Sequence, residues 1–223
     1  MTARKPADSR RREIADAALK VIAEQGLGRF TSLAIAREVG VSDAALFRHF
    51  ASKEDIVLAV IDRMEEVLFA GFPPADADPL DRLGRFFRRR IQVARENPGV
   101  ARLVGSEQLA QAAPPEGVAR VAEFRRRSRS FVRGCLAEAH ARGLLAAGIG
   151  PEEAVVLVLG ALLALAHAAP DVRPPAHLPE RVWDALEHFL RGKGRRAAGL
   201  RPLRPVPSRP SSPPKLSSSR PGR

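Results

Sequence analysis

The sequence of 223 residues predicts an all-α protein with about nine helices. Tyr is absent, and runs of β-branched and aromatic residues are scarce, whereas Ala, Leu, Arg and Glu are abundant. Apolar residues recur three and four positions apart over most of the chain, which is the spacing of one face of a helix. Hydrophobic residues make up 45% of the chain, enough for most of it to fold around a core.

The first helix is expected to begin at Asp8 or Ser9, because either side chain can cap it, and to end at Gly26. Thr31 and Ser32 are placed to open a short second helix.

A turn at residues 40–41 separates the second helix from a third. Ser42 is placed to cap this third helix, which we expect to continue to Phe50. Ser52 and Asp55 have the spacing of a capping box, so a longer fourth helix is expected to begin there.

A Pro- and Asp-rich linker at residues 71–79 follows the fourth helix. Five further helices are predicted from apolar spacing and from Pro, Gly and Asn at their ends, at 79–96, 99–112, 116–142, 151–168 and 179–190. We therefore expect one helical domain at 9–70, a second helical domain at 71–191, and a disordered tail rich in Pro, Ser and Arg at 192–223.

The positive charge of the chain is concentrated in this tail. Residues 192–223 hold nine basic and no acidic residues, and subtracting nine from the total of +12 leaves +3 for the rest. A basic chain suggests nucleic acid or an anionic membrane as partner, although a solvated tail explains the charge equally well.

We expect a cytoplasmic location. Cys135 is the only cysteine, so no disulfide can form within the chain, and the charged N-terminus lacks an apolar signal region. The most apolar run, residues 154–169, has roughly 16 residues, fewer than the ~20 that span a bilayer.

Residues 32–51, approximately, have the pattern of a helix-turn-helix unit. Such a unit needs a small residue where the helices cross, a turn residue that tolerates positive φ, and apolar residues that hold the second helix against the first. Ala36 and Gly40 meet the first two needs, and Val41 and Leu46 meet the third. Small residues near the start of the third helix allow it to enter a major groove ~12 Å wide. The outward positions are Asp43, Ala44, Ala45, Phe47, Arg48 and His49.

Double-stranded DNA is therefore the expected partner. Arg48 can bond to guanine or to phosphate, and His49 and Lys53 can reach phosphates. Three packed helices with charged faces would explain the helical pattern alone, but they would not require the whole set of positions.

Residues 10–67 resemble the DNA-binding domain of TetR-type (AcrR-like) transcriptional regulators. The matching stretches are IADAALKVIAEQG, FTSLAIAREVGVS, ALFRHF and SKEDI, in the order and at the spacing of that family. The resemblance implies that Thr31 contacts phosphate and that Lys53 anchors the DNA backbone. It places Ser42, Ala44, Ala45, Phe47, Arg48 and His49 on or beside the recognition helix. The rest of the chain resembles the family in layout only.

Two positions depart from the family pattern. Phe47 stands where the family usually has Tyr, and Ala44-Ala45 replaces a frequent Gly-Thr pair, so two hydroxyl groups are missing. Affinity for the DNA backbone is therefore expected to depend more on Arg48, His49, Lys53 and a basic arm, which consists of Arg4, Lys5, Arg10, Arg11 and Arg12.

The last two helices are expected to form a dimer interface. Residues 154–169 are apolar on all sides, so this helix must be buried on most of them. In TetR-type proteins the corresponding helices pair with those of a second copy, so the resemblance implies a homodimer on a palindromic operator with half-sites ~34–36 Å apart. The candidate interface residues are Val158, Leu162, Val182, Trp183, Leu186 and Phe189.

A small-molecule effector would bind among the helices at 79–169. The candidate wall residues, each of which can also be plain core, are Phe86, Phe87, Leu103, Phe124, Phe131 and His167. The run EFRRRSRSFVR could turn Arg125, Arg129 or Arg133 toward an acidic effector, although a solvated face explains it as well.

No catalytic residue, metal site or cofactor is predicted. The chain lacks an HExxH pair, a phosphate-binding Gly-rich loop and a nucleophile elbow. Cys135 and His140 are five positions apart, which does not place them on one face of a helix.

Two functions remain open. The first is a dimeric repressor that a small molecule releases from DNA. The second is an architectural DNA-binding protein without an inducer, in which the basic tail adds affinity that is independent of sequence. The stretch VGVSxAALxRHF is also similar to the nucleoid-occlusion branch of the same superfamily.

Overall fold

The computed structural model describes residues 7–104, 106, 109, 113–166, 175 and 177–192. These residues form nine α-helices and one 3-10 turn, Leu27–Arg29, without strands. This confirms the predicted all-α class. The helices are α1 (Ala7–Gln25), α2 (Ser32–Val39), α3 (Asp43–Leu46), α4 (Lys53–Phe69), α5 (Pro79–Glu96), α6 (Pro98–Val104), α7 (Pro115–Ala141), α8 (Pro151–Ala166) and α9 (Leu178–Arg191). His167, Arg4, Lys5 and the tail beyond residue 192 lie outside the described residues.

Side-chain caps set the starts of the short helices. The Thr31 hydroxyl accepts a hydrogen bond from the Ala34 amide at 3.1 Å, and the Ser42 hydroxyl accepts one from the Ala45 amide at 3.1 Å. The predicted capping box is confirmed at α4, where the Ser52 hydroxyl accepts from the Asp55 amide while the Asp55 carboxylate accepts from the Ser52 amide.

Two predicted helix ends were wrong. Asp8 and Ser9 lie inside α1 rather than at its cap. The third helix ends at Leu46 instead of continuing to Phe50, because Phe50 turns into the core and Ser52 must be extended to cap α4. Residues 47–49 form a hydrogen-bonded turn, in which the His49 amide donates to the Leu46 carbonyl at 3.0 Å.

Two apolar cores hold the helices together. The first core draws on α1 to α4 and also on α6 and α7, with Ile14, Ile35, Leu46, Phe50, Met64, Leu103 and Phe124 among its members. The second core lies among α5, α7, α8 and α9 and includes Leu83, Phe87, Leu136, Val158 and Trp183. The loop between α4 and α5 is therefore not a boundary for packing, because the first core continues across it into α6 and α7. No helix in the described part of the chain has the length and apolarity that a bilayer span needs.

Two of the expected dimer-interface residues lie in the second core of the protomer itself. Val158 is 0% exposed and Trp183 is 1% exposed. The Trp183 ring packs on Phe87 at 5.4 Å between centroids and lies over Gly84, where an added Cβ would be 2.6 Å from its Nε1 atom. Neither side chain can contact a second copy in this conformation. Leu162, Val182 and Leu186 pack partly against the same core, while Phe189 is exposed.

A glycine allows α6 to lie directly against α1. A Cβ at Gly99 would be only 2.2 Å from the Leu19 carbonyl oxygen, which is backbone and cannot move aside cheaply. Nearby, Nη1 of Arg102 donates to the Ile22 carbonyl at 3.4 Å. α1 is thus fixed to a helix that follows the linker at residues 71–79.

We expect Gly99→Ala to lower the free energy of unfolding by about 1–3 kcal/mol, because the added methyl group forces α6 away from α1. Urea unfolding followed by circular dichroism measures the change. Gly134→Ala is the matched control, since an added Cβ there meets nothing within 4 Å on α7. It should raise stability by about 0.5–1 kcal/mol through helix propensity. Equal behaviour of the two variants would contradict the close packing at Gly99.

Candidate nucleic-acid interface

The α2–α3 unit is held together by a tight turn and a few apolar contacts. Gly40 adopts the left-handed conformation with φ of 74°, and the Val41 amide donates to the Ala36 carbonyl at 2.9 Å. Ala36 is buried where the two helices meet, and Leu46 and Phe50 hold α3 and the turn after it in the first core. Of the other residues of α3, Ala44 is exposed, while Asp43 and Ala45 are half-buried.

The structure places all eight residues expected to contact DNA at or near the surface. Thr31, Ser42, Ala44, Phe47, Arg48 and Lys53 are exposed, while Ala45 and His49 are half-buried. Phe47 keeps 39% of its surface exposed, which is unusual for an aromatic side chain and leaves its ring free for contact. The Thr31 and Ser42 hydroxyls already accept capping hydrogen bonds from their own helices, so each retains its donor for an outside group.

Only part of the basic arm is tied to acidic side chains of the protein. Arg10 pairs with Glu13 at 2.8 Å, and Arg12 pairs with Glu66 at 3.0 Å. The hydrogen bond from Arg12 is the largest cause that holds the pKa of Glu66 below its usual value. The guanidinium of Arg11 instead lies 4.7 Å from the centre of the Phe50 ring, just after the turn that follows α3. Sequence reasoning treated the arm as one unit and missed this distinction.

Lys53, the first residue of α4, lies near an aromatic ring as Arg11 does. Its Nζ lies 5.7 Å from the centre of the Phe30 ring, while the side chain stays exposed. Arg11 and Lys53 thus add two positive charges beside α3.

The helices that carry the candidate interface are also joined to α7 by ion pairs. Arg120 contacts Asp62 at 2.5 Å and Glu65 at 2.9 Å, both on α4. With the α1–α6 contact at Gly99, this gives two routes by which movement in the C-terminal half can reach the helix-turn-helix unit.

The residues expected to line an effector pocket do not surround a single cavity in the described part of the chain. Phe87 and Leu103 are fully buried core residues, which gives them no free surface for a ligand. Phe86 and Phe131 pack together at 5.0 Å, and Phe124 packs on Phe69 at 5.8 Å. The expectation for Phe87 and Leu103 as walls is therefore corrected, because both fill the packing between helices.

An open groove of about 890 Å³ lies between the loop after α4 and the helices α5 and α7. It is lined by Pro73, Pro74, Ala75, Asp76, Ala77, Arg82, Phe131, Gly134, Cys135 and Glu138. Arg82 and Glu138 form an ion pair across it. Burial raises the pKa of the Cys135 thiol, which disfavours the reactive thiolate. Among the described residues, no group of His, Cys, Asp or Glu is arranged to hold a metal ion.

Comparison with known proteins identifies the N-terminal unit. Residues 14–60 match the family described as "Bacterial regulatory proteins, tetR family". Over 104 residues the chain is 36% identical to the nucleoid occlusion factor SlmA of Pasteurella multocida (strain Pm70), which covers 45% of this chain and 52% of that protein. SlmA of Aliivibrio fischeri (strain MJ11) is 34% identical over 112 residues, covering 48% and 56%. The chain thus spans about half the length of these curated relatives.

Solved structures resemble the chain over most of its length. PfmR, a TetR family transcriptional regulator from Thermus thermophilus, is 26% identical, with a TM-score of 0.65 over 82% of this chain and 99% of that one. KstR2, the ketosteroid transcriptional regulator of Mycobacterium tuberculosis, gives 0.70 at 20% identity over 83% and 97%. AibR in complex with isovaleryl coenzyme A and operator DNA gives 0.66 at 21% identity over 82% and 98%. The last two likenesses concern the fold alone.

A surface helix-turn-helix unit, packed on a C-terminal body of longer helices, defines a class of helical DNA-binding proteins. Within that class, the match at residues 14–60 and the likeness of the whole fold are those of one family. Residues 14–60 are thus similar to the DNA-binding part of TetR family regulators, and the fold of the described residues is similar to theirs over most of the chain.

We expect Ser42→Ala to weaken α3 by about 1 kcal/mol, because the four-residue helix loses the hydroxyl that accepts from the Ala45 amide. Hydrogen exchange at the Ala45 amide should become faster, while exchange at buried positions of α4 stays unchanged. Ser42→Asp is the control, since its carboxylate can accept the same bond and should restore most of the protection. Unchanged exchange in Ser42→Ala would show that the cap is unimportant.

Proposed function

We propose that the chain is a sequence-specific DNA-binding transcriptional repressor that acts as a homodimer and leaves a palindromic operator when a small-molecule effector binds. The observation that carries the proposal is the placement of α3, which is held in the first core by Leu46 and Phe50 while Ala44, Phe47 and Arg48 are exposed to solvent. A helix held in this way can enter the major groove without losing its attachment to the protein.

The exposed side chains divide into two roles by their chemistry. Arg48 has the planar donor fork that can pair with guanine, and the methyl groups of Ala44 and Ala45 can contact thymine methyl groups. Thr31, Ser42, His49, Lys53 and Arg11 supply hydrogen-bond donors for phosphates around the groove. Phe47 offers an apolar face to the sugar-phosphate wall, in place of the hydroxyl that its family relatives use.

The outer face of α8 supports a homodimer. Val156 is 70% exposed and Leu163 is 61% exposed, and Gly160 between them is also open to solvent. With Phe189 on α9, these residues leave apolar surface uncovered on the side opposite the second core. A second copy related by a two-fold axis would cover this face and place two recognition helices on successive half-sites.

The contacts between the two halves support control by an effector. Arg120 joins α7 to α4, and the backbone of α6 touches α1 at Gly99. A ligand that favours one arrangement of α6 and α7 would therefore shift the positions of the helix-turn-helix units and change their spacing. We propose no enzymatic activity, and we place the protein with the DNA in the cytoplasm.

A second candidate function is nucleoid occlusion or another architectural role without an inducer. The identity of more than a third of aligned residues with a SlmA protein favours it, and that match covers 45% of this chain. The two functions differ in the number of sites, because a repressor binds near the genes it controls whereas an architectural protein occupies many positions along the chromosome.

Selection of genomic fragments bound by the purified full-length protein tests both functions. Recovery of one or a few palindromic sites beside genes supports the repressor, and many dispersed sites support the architectural role. Recovery of random fragments that dissociate at moderate salt would contradict sequence-specific binding altogether.

On the site so obtained, we expect Arg48→Ala to lower affinity by ~1–3 kcal/mol while leaving affinity for random DNA nearly unchanged, because Arg48 reads a base. Arg11→Gln should weaken binding to both DNAs and reduce the salt slope by about 0.9 for each phosphate that is no longer neutralised, because Arg11 contacts phosphate. Fluorescence anisotropy at several salt concentrations measures both effects. Arg12→Gln is the control, since Arg12 is paired with Glu66 and its removal should change DNA binding little.

We expect Val156→Asp to yield folded monomers with weakened DNA binding, because a charge replaces the exposed apolar contact of the dimer. Light scattering gives the mass and circular dichroism the helix content. Val158→Asp lies two positions away but inside the second core, so it should unfold the protein rather than separate two copies. A Val156→Asp variant that stays dimeric would place the dimer interface elsewhere.

A further inference from the structure

Arg90 on α5 is a buried cation that lies among phenylalanine rings. It is 8% exposed, and its guanidinium lies over the Phe69 ring at 4.6 Å and the Phe86 ring at 5.0 Å. Its Nη2 donates to the Ser128 hydroxyl at 3.0 Å, and that hydroxyl donates to the Phe124 carbonyl at 2.9 Å. Since a guanidinium has five N–H donors, the described residues leave most of its hydrogen-bonding capacity unused.

A second arginine joins the same group of rings. The guanidinium of Arg127 on α7 lies 4.2 Å from the centre of the Phe69 ring and 4.8 Å from that of Phe72. We call the set of Phe69, Phe72, Phe86, Arg90, Arg127 and Phe131 the arginine–phenylalanine cluster. Phe131 closes it, at 5.0 Å from both Phe72 and Phe86. Arg127 is exposed, so the cluster is accessible from solvent on that side.

The carboxylates on the neighbouring helices are paired with other arginines. On α4, Asp62 and Glu65 contact Arg120, and Glu66 contacts Arg12 and Arg63. On α7, Glu123 contacts Arg126 at 2.6 Å. Within the described residues the cluster thus holds two positive charges without a carboxylate. The pKa of Arg90 is lowered to about 10, mainly by burial and further by the positive charges of Arg127 and Arg89. Arg90 is therefore still charged at neutral pH.

We infer that the arginine–phenylalanine cluster binds an amphipathic organic anion, whose carboxylate or phosphate head pairs with Arg90 and Arg127 and whose apolar part lies against the half-buried rings of Phe69, Phe72 and Phe131. Arginine forks bind such heads with two parallel hydrogen bonds, and a buried cation lacking a counter-charge gains most from one. The contact with Ser128 already fixes the orientation of Arg90, so binding requires little further ordering of this side chain.

The cluster also lies where a ligand can influence the DNA-binding unit. Phe69 is the last residue of α4, whose first residue is Lys53 beside the recognition unit. This step rests on the proposed function, in which the bound anion is the effector. Binding of the anion to the cluster is a separate claim that does not need DNA.

Isothermal titration calorimetry of the full-length, DNA-free protein with three ligands of one chain length tests the inference. Octanoate supplies a carboxylate, octyl phosphate supplies a phosphate, and octanamide is the neutral control. We expect at least one anion to bind about tenfold or more tightly than octanamide, as charge-assisted hydrogen bonds would give. The anion that binds more tightly identifies the preferred head group.

Variants then assign the binding to the cluster. Arg127→Gln removes an exposed charge and should fold normally, yet it should lose most of the preference for the anion. Arg90→Met keeps the apolar stem and should lose the preference as well. Arg129→Gln, also exposed on α7, is the matched control and should bind like the unchanged protein. Circular dichroism checks that each variant is folded.

Three outcomes would overturn the inference: equal binding of anions and octanamide by the unchanged protein, no binding of either anion, or equal losses in Arg127→Gln and Arg129→Gln. The last would show that only general positive charge matters. If the anions bind through Arg90 and Arg127 but fail to release the selected operator fragment, the inference stands and effector control is contradicted. If the operator is never found, calorimetry still decides the binding site.

Discussion

The burial of Leu46 and Phe50 in the first core is the constraint on which the functional surface depends. Two apolar side chains, each contributing roughly 1.5–3 kcal/mol on burial, hold the four-residue helix α3 in one orientation. A helix of this length would not form alone in water. Its surface side chains are therefore positioned by contacts beneath them, and polar changes on the outer side can alter DNA recognition without disturbing the fold.

The same core couples the movements of the helices before the α4–α5 loop to those of α6 and α7 after it. Residues of α6 and α7 pack among those of α1 and α4, and the α1 backbone touches Gly99 without an intervening side chain. Packed interiors transmit displacement because they have little free volume. The ion pairs from Arg120 to α4 add a second connection at the surface. A ligand among α4, α5 and α7 would thus act on α4 and α7, whose buried residues share the first core with Leu46 and Phe50.

The arginines discussed above fall into two groups: those paired with carboxylates of the protein, and those that lie on aromatic rings and keep their charge for an outside anion. Arg12, Arg63, Arg120 and Arg126 are paired with carboxylates and contribute modestly to stability, as exposed ion pairs do. Arg11 lies on an aromatic ring beside the recognition unit, and Arg90 and Arg127 lie on rings in the arginine–phenylalanine cluster. Aromatic faces hold these cations in position without neutralising them, which leaves their charge available to an anion.

The sequence by itself determined the helical class, the caps at Thr31, Ser42 and Ser52, the left-handed turn at Gly40 and the family of the DNA-binding domain. These features depend on neighbours within a few positions, so local chemistry is enough to identify them. Periodicity also showed which residues are apolar, but it did not show what they pack against. Val158 and Trp183 looked like interface residues and are core, because apolar character is the same for both roles.

Only the tertiary structure decided which basic residues are available and where α3 ends. Arg12 pairs with Glu66, and Arg11 lies on the Phe50 ring. Both contacts join α1 to segments that are distant in sequence, so the spacing of residues along the chain cannot reveal them. The arginine–phenylalanine cluster left a partial signal, since Phe86 and Arg90, and Arg127 and Phe131, are each four positions apart on one helix face. Its completion required α4, the following loop, α5 and α7 to meet, and that meeting is set by the packing of the two cores.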